Sequence, residues 1–310
     1  MTKLTYQRLS ASHIQHLHPI AAHIEKHWPH NPDDFKAAFF VENTGKAIAE
    51  GKLDGYMLFK NDSPIGIGWV EFSFGRYGLI SCYTCDLGFE RTLARYVLEL
   101  VENKDVVLEL IHFGETGDVY RDAIKNQGFM EQKRERLYFE YPIEPLFELG
   151  PPNGKAITPL TKEHTSLSSD ISFPAHQSSQ DLKYNSDFFT LEKRSALEKD
   201  IFNGMFGEII PEGTLKLEVD GVPVGICTIT GLPAWGYDKI GWVTDISILP
   251  EYHGKGYGKY MLKASLNAMS SIDIPYVGLA VSDNNPIARK LYEKLGFVPF
   301  QTFYEYGNPD

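Results

Sequence analysis

Cysteine is scarce in this chain: three residues, Cys82, Cys85 and Cys227, among 310. A disulfide framework is therefore not expected, and a reducing, cytoplasmic setting is. Cys82 and Cys85 have CxxC spacing, but no second pair accompanies them and they sit in a β-like run. They read as strand cysteines rather than as redox or zinc ligands. Long apolar runs are also missing. No stretch of about 18 apolar residues exists to span a membrane, and the Met1–Tyr6 start lacks an apolar signal core. Basic excess is absent too: 30 Lys and Arg stand against 41 Asp and Glu, a net charge of -11. A duplex-binding protein needs a basic stripe to neutralise phosphates, so nucleic acid is excluded as a partner. With 27 glycines and 18 prolines the chain is not fibrous or low-complexity.

What is present is the composition of a folded protein, 43% hydrophobic and 23% charged. A chain this long exceeds one ordinary core, which predicts two domains of about 150 residues each. Two internal matches support that division. Met57–Gly66 and Leu215–Gly225 are both apolar runs broken by Asx-containing turns and resumed as Pro-aliphatic-Gly. Gln127-Gly128-Phe129 and Leu295-Gly296-Phe297 both close a short helix before a strand. The offsets are similar, 225 − 66 = 159 and 296 − 128 = 168. Between the copies, residues 142–154 hold four prolines and two glycines, the mark of a connector. The expected domains are 1–145 and 156–310, with 146–155 as linker. Strands alternate with helices in both, giving an α/β (α+β) unit used twice.

The most informative stretch runs from Trp242 to Lys259. It reads as a strand, a loop with three glycines, then a helix whose buried face is Leu262, Leu266 and Met269. Glycines there let backbone N–H groups approach a phosphate, and the helix aims its positive end at the same place. Lys255 and Lys259 add charge. A plain turn with helix caps is the alternative, since neither GxGxxG nor GxxxxGK[ST] fits. A second stretch, Leu279–Phe297, is a strand and a sharply bounded helix. Asn285 suits its N-cap, Pro286 its first position and Gly296 its C-terminal stop. Ile287, Leu291 and Leu295 are the expected buried stripe.

Together the two stretches resemble the GNAT superfamily of acyl-CoA-dependent N-acetyltransferases. His253–Gly258 matches the family's [Q/R]xxGx[G/A] motif, and Asn285–Phe297 matches its second motif about 30 residues later. The resemblance covers residues 155–305. The first half shares only the hairpin and the Gly-Phe ending, so the whole looks like a tandem of GNAT folds with a degenerate first copy. Each fold implied is a mixed, mostly antiparallel sheet flanked by helices.

The resemblance implies acetyl-CoA as co-substrate and no metal. It implies that Ile246, Ser247 and Ile248 line the pantetheine arm, where a strand splays from its neighbour. It gives the diphosphate to the loop of His253, Gly254, Lys255, Gly256, Tyr257, Gly258 and Lys259. Asn285 is implied as a further cofactor contact and Tyr292 as the general acid for the leaving thiolate. The acceptor, a small-molecule or peptide amine, is left open. Two departures stand out. His253 replaces Arg or Gln, and Ala280, Trp242 and Thr244 occupy positions where relatives carry bases. Asp245 is the nearest carboxylate and Glu218 the next. Asp245 serves either as base or as structural hydrogen-bonder, and strand alternation places it on the opposite face from Thr244 and Ile246 unless a bulge intervenes. In the first half, Cys85–Arg91 stands where the cradle belongs and Ile124 where the tyrosine belongs, so that copy is expected not to catalyse. A non-catalytic acyl-CoA-binding module is the rival reading.

Further features invite weaker readings. Six histidines fall within residues 1–30, and His23 and His27 are i, i+4 on a helix. No carboxylate or cysteine completes a metal site there, and a solvated helix face is the reading adopted. Trp235, Tyr237, Phe188, Phe189 and Tyr184 could serve as acceptor-pocket or core aromatics. Asp181 and Asp187 would suit a cationic amine.

Overall fold

The computed structural model describes residues 3–28, 35–86, 88–112, 117–141 and 147–307. Pro142–Leu146 of the expected connector, together with Leu87 and His30, lie outside them. The chain divides into two compact units: Met1–Glu131 with Tyr304–Asp310, and Gln132–Phe303. Each unit thus takes in a short piece from the far side of the connector.

The first unit contains β1 (Leu4–Arg8), α1 (Leu17–Lys26), α2 (Ala37–Ala49), β2 (Asp54–Lys60), β3 (Ser63–Phe74), β4 (Tyr77–Thr84), α3 (Glu90–Leu98), β5 (Val107–His112) and α4 (Gly117–Asn126). Its sheet order is β1-β2-β3-β4-β5, antiparallel except for β4 and β5. The end of β13 (Val298–Gly307) completes it, Glu305 to Gly307 pairing antiparallel with Glu109 to Val107. The β2–β3 hairpin turns as its Asn-Asp pair dictates, both residues taking positive φ. Leu93, Val97, Ile124 and Tyr306 are among the residues of one core on this sheet.

The second unit holds β6 (Met130–Glu140, all but its first two residues), β7 (Lys155–Pro159), α5 (Thr165–His176), α6 (Leu191–Phe202), β8 (Glu208–Ile209), β9 (Leu215–Val219), β10 (Val222–Ala234), β11 (Tyr237–Ile248), α7 (Tyr257–Met269), β12 (Tyr276–Ser282), α8 (Pro286–Lys294) and the start of β13. Its order is β13-β6-β12-β11-β10-β9-β7, with β8 also on β10. Asp220 and Gly221 turn the β9–β10 hairpin with positive φ, the chemistry expected of Asp-Gly.

One face of this sheet packs Leu262, Leu266 and Met269 of α7 with Tyr292 and Leu295 of α8. The opposite face packs Ile226 against Ile171 of α5 and Phe202 of α6. The stripe expected on α7 is buried as expected. That on α8 is rotated: Leu295 is buried and Leu291 half-buried, but Ile287 is 83% exposed and Tyr292 takes the inward place. Asn285 caps α8, accepting from the Ala288 amide at 3.1 Å, which fixes where the helix starts.

Candidate active site

β11 and β12 run parallel but part company early. Their described ladder has two rungs, Gly241 with Val277 and Trp242 with Gly278. Each strand then continues along its other neighbour. β11 follows β10 to Ile248, while β12 follows β6 to Ser282. Val243–Ile248 therefore borders an opening whose two legs are each held from outside. In the first unit the corresponding strands stay zipped over six rungs, from Tyr77 with Val107 to Cys82 with His112.

The glycine loop follows β11 after a short 3-10 turn at Pro250–Tyr252. Gly254 and Gly256 take φ of 75° and 80°, a region that costs an L side chain about 1–2 kcal/mol. A Cβ on either would meet nothing within 4 Å. Space is thus not the constraint; backbone direction is. Gly256 is the N-cap of the 13-residue α7, and among the described residues no acceptor is found for the amides of Gly254 to Lys259. Six consecutive donors at a helix start have the chemistry to hold an anion. His253 anchors the loop, its Nε2 lying 2.7 Å from the Ile248 carbonyl. A carbonyl only accepts, so Nε2 carries the proton. Lys255 lies over the Tyr252 ring at 4.8 Å.

The first unit treats the equivalent turn differently. There the Gly88 amide donates to the Glu90 carboxylate at 2.7 Å, and Lys60 is paired with Asp86. A side chain of the protein itself fills the anion position.

β11 carries a bulge at Thr244: Thr228 pairs with Asp245, but the next residue, Ile229, pairs with Val243. The extra residue places Thr244 and Asp245 on one face. Thr244 bonds Thr230 at 3.0 Å, and Asp245 reaches α6 on the same side. Ile246, Ile248 and Val243 face α7 and α8 instead. Plain alternation, which sets Asp245 opposite both Thr244 and Ile246, does not hold at Thr244; Asp245 shares the face of Thr244 and lies opposite Ile246.

Asp245 is 6% exposed and sits in a buried polar cluster. Arg194 of α6 donates to its Oδ2 at 2.6 Å and Ser247 to its Oδ1 at 2.8 Å, with His176 Nε2 3.3 Å from Oδ1. Arg194 also binds Glu198 and, at 2.7 Å, Ser172; Ser168 donates to Glu198 at 2.6 Å. Burial by itself would raise the Asp245 carboxyl. The Arg194 charge and the His176 and Ser247 hydrogen bonds outweigh it and hold the carboxyl at about 2. A carboxylate so held is a weak base. Glu218, the second carboxylate, is paired with Lys216 on its own strand at 2.5 Å.

Tyr292 is 7% exposed on the α7–α8 face. Burial, then the nearby Cys227 and Asp245, push its hydroxyl well above the ordinary phenol range. It is protonated at neutral pH. The cysteines are all free, and burial pushes the Cys227 thiol up to about 12 and that of Cys85 up to about 11.

Sequence reasoning missed His176, Arg194, Glu198, Ser168 and Ser172. A signal was present. Ser168, Ser172 and His176 recur at i, i+4, i+8 along α5, and Arg194 and Glu198 at i, i+4 along α6, polar stripes where packed helices should be apolar. Of the aromatics, Phe188 packs on His176 with ring centroids 4.7 Å apart. Trp235 and Tyr237 instead join Tyr138, Tyr276 and Phe300 in a separate cluster. Asp181 accepts from Ser282 at 2.7 Å. At the other end, His23 bonds Tyr83 and His27 bonds the His23 carbonyl, and no group of three metal-ligand side chains occurs among the described residues.

Residues 182–297, within the second unit, match the Acetyltransferase (GNAT) family. Similar sequences include the mycothiol acetyltransferase of Paenarthrobacter aurescens, 30% identical over 165 residues, 52% of this chain and 47% of that one. That of Acidimicrobium ferrooxidans is 35% identical over 88 residues, 28% of each chain. The match spans less than half the length of either relative. Among solved structures, a GCN5-related N-acetyltransferase from Sphaerobacter thermophilus superposes with a TM-score of 0.60 at 13% identity, over 98% of this chain and 95% of that one. The likeness of fold thus runs through both units, and the chain is a tandem of two GNAT-like folds. Among the described residues no helix is long and apolar enough to cross a membrane.

Proposed function

We propose that the second unit transfers an acetyl group from acetyl-CoA to a primary amine by direct attack. The observation that carries this reading is the opening of β11 from β12 after two rungs, with six free amides at its end. The diphosphate would rest on Gly254 to Lys259, with His253 holding the loop. The pantetheine arm would add a strand-like partner along Ile246, Ser247 and Ile248, whose side toward β12 is open. Asn285 spends its carbonyl oxygen on the helix cap, leaving its amide nitrogen for the arm.

The amine attacks the thioester carbonyl carbon, and donors along β11 stabilise the oxyanion. As the C–S bond breaks, sulfur takes the Tyr292 proton. A phenol raised by burial does not surrender its proton to a thiolate outright. Its proton is replaced by the surplus one on the new amide nitrogen, so Tyr292 works as a relay. Asp245, held acidic by Arg194, serves to position its neighbours. The first unit, zipped at β4–β5 and with Glu90 in the anion place, is the non-catalytic copy.

Calorimetric titration of the full-length protein with acetyl-CoA tests this reading. One site per chain is expected. Two sites would refute the account of the first unit, and none would refute the proposed function.

A further inference from the structure

We infer that His176 is the base that takes the proton from the acceptor ammonium, with Asp245 and Ser247 positioning it. The inference rests on the acetyl-transfer reading and supplies the one group that reading lacks.

The connection from α5 to α6 is tied to both legs of the opening. At the β11 leg, His176 Nε2 lies 3.3 Å from Asp245 Oδ1 and 3.4 Å from Ser247 Oγ. At the β12 leg, Asp181 accepts from Ser282. The opening is therefore roofed on the α5 face by a segment that begins with an imidazole and carries a carboxylate. Asp245 and Ser247 flank Ile246, so His176 stands at the stretch of β11 against which the thioester would lie.

The hydrogen bonding selects a tautomer. Arg194 keeps Asp245 an anion, and an anionic carboxylate only accepts, so Nε2 of His176 is the donor. Nδ1 is then the basic nitrogen. The ring is steadied by Phe188 and its side chain is 25% exposed, open to an incoming amine. The charged groups around it are Asp245 on β11, Arg194 and Glu198 on α6, and Asp181 and Asp187 in the connection.

The two faces of the sheet divide the work. His176 lies on the α5–α6 face and Tyr292 on the α7–α8 face. An ammonium entering from the first face gives one proton to Nδ1. Its lone pair then forms the N–C bond, and the thiol departs toward Tyr292 on the second. The proton on His176 passes to water, balancing the reaction of ammonium and thioester to amide, thiol and one free proton.

Two small probe amines test this. At neutral pH methylamine is an ammonium and methoxyamine is neutral, so only the first needs a base. His176→Gln keeps a donor for Asp245 and removes the basic nitrogen. Expected are unchanged acetyl-CoA binding by calorimetry, turnover of methylamine reduced about 10²-fold, and turnover of methoxyamine within about threefold of the unmodified protein. Equal loss on both amines, or no loss on either, would overturn the assignment, because a structural role does not distinguish them. An unmodified protein that binds acetyl-CoA but releases CoA to neither probe would overturn it as well. Absence of acetyl-CoA binding is a separate result, and defeats the acetyl-transfer reading beneath it.

Discussion

Replacing Arg194 by Met removes the guanidinium from a cluster whose side chains are almost wholly enclosed: Arg194 is 3% exposed, Asp245 4% and Glu198 0%. Removing one partner of a buried ion pair leaves an uncompensated charge and costs about 3–5 kcal/mol. For a unit of this size about 2–4 °C accompany each kcal/mol, so the melting transition of the second unit should fall by about 6–20 °C. The loss should depend on pH with a definite sign. The folded Asp245 carboxyl titrates at about 2, below its ordinary 3.8. A depressed carboxyl contributes stability that is fully present above pH 3.8 and is lost as pH falls toward 2. In the variant Asp245 lacks its counter-charge and protonates more readily, so the gap between the two proteins should narrow in acid. Scanning calorimetry between neutral pH and pH about 3 reads both effects. The triple variant Arg194→Met, Asp245→Asn, Glu198→Gln should regain much of the loss, because no charge is left unpaired. A melting shift equivalent to less than about 1 kcal/mol, or a gap that widens in acid, would refute the assignment of these groups as a mutually dependent ionised cluster.

Four further outcomes are expected. Gly256→Ala should cost about 1–2 kcal/mol of stability through its positive φ, and weaken acetyl-CoA binding at least tenfold by turning the loop amides, read by calorimetry. Tyr292→Phe should keep acetyl-CoA affinity and lower turnover about 10²-fold; equal loss of both would mean a packing role alone. Glu90→Gln in the full chain should leave the stoichiometry at one acetyl-CoA, because β4 and β5 remain zipped whatever fills the turn. With a thiol reagent at mildly alkaline pH, the native chain should react slowly and at Cys85 first, while denaturation releases all three thiols; rapid reaction at Cys82 or Cys227 would contradict their burial.

The sequence by itself determined what local backbone chemistry can decide. Asn-Asp and Asp-Gly set two hairpins, Gly254 and Gly256 shape the loop, and Asn285, Pro286 and Gly296 bound α8. These residues act through their own φ, ψ and nearest amides, so their effect does not wait on the rest of the chain. The two-copy plan was legible for the same reason, as repeated local signals. The tertiary structure alone decided four things. Residues 132–140 and 304–307 cross between the halves, because a strand joins whichever edge offers hydrogen bonds, and sequence order does not say which. The bulge at Thr244 turns Asp245 to the face of Thr244, a register set by β10. Ile287 lies outside and Tyr292 inside, because the direction in which α8 docks rotates its stripe. Arg194 and His176 meet Asp245 across separations of 51 and 69 residues, counted as 245 − 194 and 245 − 176. Their attraction is worth little until burial removes the water between them, and that removal is a property of the folded chain.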